Sequence, residues 1–123
     1  MNPVNWFEIP VADMPRARKF YSEVFGYEMA GENMGPIELA FFPMAENEPG
    51  IGGGLSKSPG RKPGVDGVRI YFSVADIDGA LAKVAKAGGA VVSGRTSLGP
   101  YGFMAEFTDT EGNLICLHTM AGM

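Results

Sequence analysis

IPVADMPRARKFYSEVFGYEM, residues 9 to 29, and FSVADIDGALAKVAKAGGAVV, residues 72 to 92, align without a gap. Val11-Ala12-Asp13 falls on Val74-Ala75-Asp76, Ala17 on Ala80 and Gly26 on Gly89. Each copy reads as a strand, a helix cap, a helix, a glycine stop and a second strand. Asp13 and Asp76 carry the short side-chain oxygen that accepts from the unpaired N–H groups of a helix start. Ala17, Phe20, Tyr21, Val24 and Phe25 recur at helical spacing in the first copy, and Ile77, Ala80, Leu81 and Val84 in the second. Gly26 and Gly88-Gly89 permit the left-handed turn that ends each helix.

Working outward, each helix is followed by further strands. In the first half these are IELAFFP from Ile37 and IGGGLSKS from Ile51; in the second they are GFMAEFTD from Gly102 and NLICLHT from Asn113. The turns AENEPG and DTEGN separate them at equivalent places. Each half is therefore strand-helix-strand-strand-strand, and KSPGRKPGVDG, from Lys57 to Gly67, joins the halves. The expected fold class is α+β: two tandem βαβββ modules forming one domain, with a curved mixed sheet around a cleft. The expected division is 1–123 as a single domain, with module one at about 1–56, a linker at 57–66 and module two at about 67–119. Neither half is long enough to bury an adequate core alone.

Hydrophobic residues make up 46% and charged residues 20% of the 123, values that suit a globular chain. The net charge of −4 argues against nucleic acid and agrees with a neutral or cationic small ligand. No apolar run approaches a membrane span, and MNPVNWFEIP lacks the basic and apolar regions of a secretory signal. The single Cys116 excludes an internal disulfide framework and a cysteine-rich zinc site. The expected setting is cytoplasmic, with no membrane partner. GIGGG, from Gly50, opens no helix and lacks the spacing of a nucleotide fingerprint; its glycines leave room in a cleft floor or mark a bulge.

In NWFEIPVAD, residues 5 to 13, Phe7, Ile9 and Val11 alternate on one face, and Trp6, Glu8 and Pro10 on the other. The first set reads as core, together with Ile70, Phe72, Val74, Ile115 and Leu117. A carboxylate beside a tryptophan in mid-strand fits a base, a metal ligand or a solvated groove residue.

The doubled pattern resembles the vicinal oxygen chelate superfamily of glyoxalases, bleomycin-resistance proteins and extradiol dioxygenases. The resemblance rests on IPVADMPRARKFYSEVFGYEM, SVADIDGALAKVAKAGG and GPYGFMAEFTDTEGNLICLH, and covers nearly the whole chain. It implies paired βαβββ modules around a cleft, and a homodimer. It also implies four metal-ligand positions, which here fall on Trp6, Gly54, Arg69 and Cys116. An indole, a glycine and a guanidinium do not hold a divalent ion, so no metal and no other cofactor is expected.

Two residues beyond each of those positions, on the same face, lie Glu8, Ser56, Tyr71 and His118. Glu8 and His118 are the expected acid–base pair. Trp6, Ser56, Arg69, Tyr71 and Tyr101 are the expected ligand contacts, the last from the glycine-rich loop LGPYGF. Arg69 suits an anionic group of a ligand or an ion pair with Glu8. Cys116 reads as a small buried hydrophobe. Three functions follow: a small-molecule-binding protein without a metal and with acid–base chemistry from Glu8 and His118, a sequestering protein of the bleomycin-resistance type, or a metal-dependent lyase or dioxygenase with shifted ligands Glu8 and His118.

Overall fold

The computed structural model describes residues 3–45 and 49–122. The elements run β1 (Trp6–Pro10), α1 (Met14–Phe25), β2 (Ala30–Met34), β3 (Ile37–Phe41) and β4 (Gly52–Lys57). The second module repeats them as β5 (Tyr71–Ser73), α2 (Ile77–Lys86), β6 (Ala90–Ser97), β7 (Phe103–Thr108) and β8 (Leu114–Thr119). The fold is α+β in two tandem modules, with two mixed four-stranded sheets and no closed barrel. Part of the expected AENEPG turn lies outside the described residues. No helix among the described residues is long and apolar enough to cross a membrane.

The caps behave as their chemistry requires. Extended Asp13 accepts from the N–H of Arg16 at 3.0 Å, and Asp76 from that of Gly79 at 3.1 Å. Gly26 closes α1 at φ 72°, a conformation costly for any residue with a Cβ. Asp78 in the first turn of α2, and Lys83 and Lys86 in its last, complement the helix dipole; α1 has no such charges in its end turns.

The sheets have orders β1-β4-β3-β2 and β5-β8-β7-β6, with β1·β4 and β5·β8 parallel and the remaining pairs antiparallel. Strand β5 is shorter than β1. The N–H of Leu114, at the start of β8, is taken by the carbonyl of Gly64 in the linker, and the Cys116 N–H donates to the carbonyl of Ile70, just before β5.

One apolar core joins the modules. Ile9, Val11, Phe72, Ile115 and Leu117 are buried in it as their alternation predicts, with Phe7, Ile70 and Val74 packed at its margin. Phe20 of α1 meets Phe107 of β7, and Phe25 stacks on Phe72 with ring centroids 4.6 Å apart. The glycines of β4 make no bulge, because their pairing with β1 is continuous. Gly53 is required where the Phe7 ring lies, since a Cβ there would collide with it.

Polar groups fasten the β7–β8 turn to the start of α1. The buried Tyr21 hydroxyl donates to Asp109 at 2.7 Å, and Asn113 Nδ2 donates to the Pro10 carbonyl at 2.8 Å. Burial pushes the Tyr21 hydroxyl well above its usual pKa, and the Asp109 carboxylate adds to the effect. Glu111 Oε1 accepts from the backbone N–H groups of Ala12 and Asp13, both at 2.8 Å, while Arg16 Nε donates to Oε2 at 2.7 Å. Burial alone would raise the Glu111 carboxyl. Bonds from Arg16, Asp13, Ala12 and Thr110 outweigh it and hold the pKa at about 2.

Candidate functional site at the seam between the sheets

Strands β1 and β5 are each the edge strand of their sheet, and both line one cavity of about 780 Å³. Phe7 and Phe72 meet edge to face below it, with centroids 6.1 Å apart. Trp6 and Glu8 enter from β1, Tyr71 from β5 and Arg69 from the segment before it, with Phe42 and Val68 among the other lining residues. Alternation places Trp6 and Glu8 on the face opposite Phe7 and Ile9.

Each half has its own internal wiring. Trp6 Nε1 donates to Glu8 Oε2 at 3.1 Å, and the indole meets Phe41 edge to face at 5.9 Å. Arg69 does not reach Glu8. Its Nη2 pairs with Glu106 and also lies 3.5 Å from Cys116 Sγ, and its guanidinium sits 5.7 Å from the centre of the Tyr71 ring. Ser93 donates to the other Glu106 oxygen at 3.1 Å. Sequence reasoning missed Glu106. Its signal was a charge in mid-strand, on the same alternation as Met104 and Thr108.

The remaining expected residues lie elsewhere. Ser56 is buried on β4, opposite Pro10. His118 lies on β8 opposite Ser73, and its Nε2 meets the carbonyl of Tyr101 at 2.6 Å. Neither Ser56, His118 nor the largely exposed Tyr101 lines the cavity that holds Glu8. Cys116 is fully buried beneath Arg69. The cleft-face room left by Gly52 is filled by the chain itself, since Met44 lies where a Cβ would stand. A separate groove of about 890 Å³ between α1 and α2 carries Arg16, Lys19, Lys83 and Lys86 and none of the expected site residues.

The four metal-ligand positions implied by resemblance offer no set of donor groups. Trp6 donates its only polar hydrogen to Glu8, Gly54 has no side chain, Arg69 is engaged by Glu106, and Cys116 is covered. Among the described residues, no three His, Cys, Asp or Glu side chains converge to hold an ion. The residues present do not fit a divalent metal, and no chemical step is assigned to one.

Paired modules with a cavity at their seam define a class of small two-module α+β proteins. Residues 4–117 match the model of the Glyoxalase/Bleomycin resistance protein/Dioxygenase superfamily, and the chain belongs to that family. It is 30% identical over 130 residues to a glyoxylase-like domain-containing protein of Didymella fabae, across 97% of this chain and 94% of that one. It spans only 44% of two mycobacterial relatives that it matches at 29% identity.

Among solved structures, the fold is similar to a glyoxylase/bleomycin resistance protein/dioxygenase domain from Frankia sp. EAN1pec. The TM-score is 0.75 at 19% identity, over 97% of this chain and 98% of that one. It is also similar to TnmS3, an antibiotic-binding protein from Streptomyces sp. CB03234, with a TM-score of 0.66 at 24% identity, over 97% and 96% of the two chains.

Proposed function

We propose that the chain binds a small organic molecule in the seam cavity without a metal ion, in the manner of a sequestering protein. The observation that carries this reading is the cavity itself. Two edge strands leave a space of about 780 Å³, within the size range of small-molecule sites, and wall it with aromatic rings. Proposed contact residues are Trp6, Glu8, Arg69 and Tyr71. The antibiotic-binding description of TnmS3 supports a binding role on this fold. Acid–base turnover by Glu8 with His118 has less support, since His118 is engaged by Tyr101 and does not line the seam cavity.

Trp6 is the only tryptophan, so its fluorescence reports on the cavity directly. Protein stripped with a chelator and dialysed is expected to bind planar aromatic probes such as quinoline, with saturable quenching of Trp6. Binding that appears only after nickel, zinc or iron is restored would defeat the metal-free reading. We further propose a C2 homodimer in a reducing, cytoplasmic setting. The exposed edge strands β2 and β6, with Met34, Val91 and Val92 uncovered, support pairing. A monomer mass in sedimentation at micromolar concentration would reject it.

A further inference from the structure

We propose that the seam cavity selects a cationic aromatic ligand: a flat ring bearing a protonated or quaternary nitrogen, with Glu8 as its counter-charge and Trp6 and Tyr71 as its walls. This rests on the binding function proposed above and adds the charge of the ligand.

Among the described residues, Glu8 and Arg69 are the charged side chains that line the cavity. Arg69 is already matched, by Glu106 on β7 and by the face of Tyr71. Glu8 is not. Among the described residues its one bond is from the neutral indole of Trp6, which leaves Oε1 without a partner and the negative charge without a cation. Lys62 shares a smaller neighbouring cavity with Glu8 but makes no ion pair with it among the described residues. Among the described residues, the cavity lining therefore carries one solvent-exposed carboxylate without a cationic partner beside aromatic faces, the combination that favours a cation over a neutral or anionic guest. Tyr71 already accommodates one cation, the Arg69 guanidinium. Trp6 is held in place by Phe41 and Glu8, so little motion is lost when a ring stacks on it.

Three probes of nearly equal shape test the charge at pH 8: 1-methylquinolinium, neutral quinoline and anionic quinoline-2-carboxylate. Trp6 quenching is followed to saturation, and an unchanged fluorescence lifetime separates a bound complex from collisions. The cation is expected to bind about tenfold more tightly than quinoline, and the carboxylate most weakly. Glu8→Gln should abolish the preference for the cation, so that 1-methylquinolinium and quinoline bind the variant with equal strength. Glu106→Gln, which releases Arg69, should improve binding of the carboxylate about fivefold. Equal affinities, a reversed order or a preference that survives Glu8→Gln would overturn the proposal, as would indifference of the carboxylate to Glu106→Gln. Saturable binding of all three probes with equal strength would overturn only the charge selection. Saturable binding of none would overturn the cavity's binding role as well.

Discussion

The ladders place the two modules' inner faces in register, and the same diagonal is filled in opposite ways. In the first sheet, Glu8 lies across from Gly54 and Gly54 from Phe41. In the second, Tyr71 lies across from Cys116 and Cys116 from Glu106. Trp6 and Arg69 occupy the matching place two residues earlier. Trp6 reaches Phe41 over a glycine, and Arg69 reaches Glu106 over a cysteine. The backbone conserves the span between the end positions, and the side chains decide whether rings or ions bridge it. One half thereby leaves a carboxylate uncommitted at the seam, while the other consumes its charges internally.

The modules differ on their outer side too. The β7–β8 turn docks on α1 through Arg16 and Tyr21, whereas the aligned positions on α2 are Gly79 and Val84. Removing this difference should have the largest effect. Glu111→Ala strands two backbone N–H groups and Arg16, and is expected to cost about 3 kcal/mol of unfolding free energy at pH 7, read by urea titration. The effect should depend on acidity in a definite direction. The folded Glu111 pKa of about 2 lies below its ordinary 4.5, so its contribution is complete above about pH 4.5 and drains away as pH falls toward 2. The gap between native protein and Glu111→Gln should therefore narrow from pH 6 to pH 3. A gap that stays constant would remove the carboxylate from the account.

A smaller effect is expected from making the two diagonals alike. A Cβ on Gly54 would stand 2.8 Å from the Ala40 carbonyl, so Gly54→Cys should destabilise by about 2 kcal/mol, although cysteine is native at the matching place. If thermal melting shows no loss, the glycine does not control the approach of β3.

The smallest effect concerns the ion pair. Arg69 and Glu106 are both partly solvated, so the double change Arg69→Met with Glu106→Leu should alter stability by less than about 1 kcal/mol. The same double change removes the cation on Tyr71 and should leave quinoline affinity within about twofold. A large loss of stability would mean that the pair is structural rather than a local neutralisation of charge.

Local rules made the scaffold legible. The aspartate caps, the helical spacing of Ala17, Phe20, Tyr21 and Val24, and the alternation of Ile9 and Val11 each depend on near neighbours in the chain. The docking turn was visible only as a turn. Nothing near Glu111 in sequence announces that Ala12 and Asp13 will satisfy it. The cleft was half legible for a related reason. Alternation gives the face of a residue but not its row, and the register of parallel strands sets the row. Ser56 pairs with Pro10 and His118 with Ser73, so each sits one row beyond Glu8 or Tyr71. The partner of Arg69 depended on the β7–β8 register in the same way.

The bonds that Glu111 makes to Ala12 and Asp13 also set a timetable for synthesis. The first helix leaves the ribosome well before the carboxylate that ties down its opening turn, which lies 95 residues beyond Arg16. Until then the nascent first module holds β1, α1 and their neighbours without their final clasp. Stalled chains ending before Asp109 should be cut readily by protease around residues 11–16, and chains carrying the turn on a C-terminal linker long enough to clear the tunnel should resist.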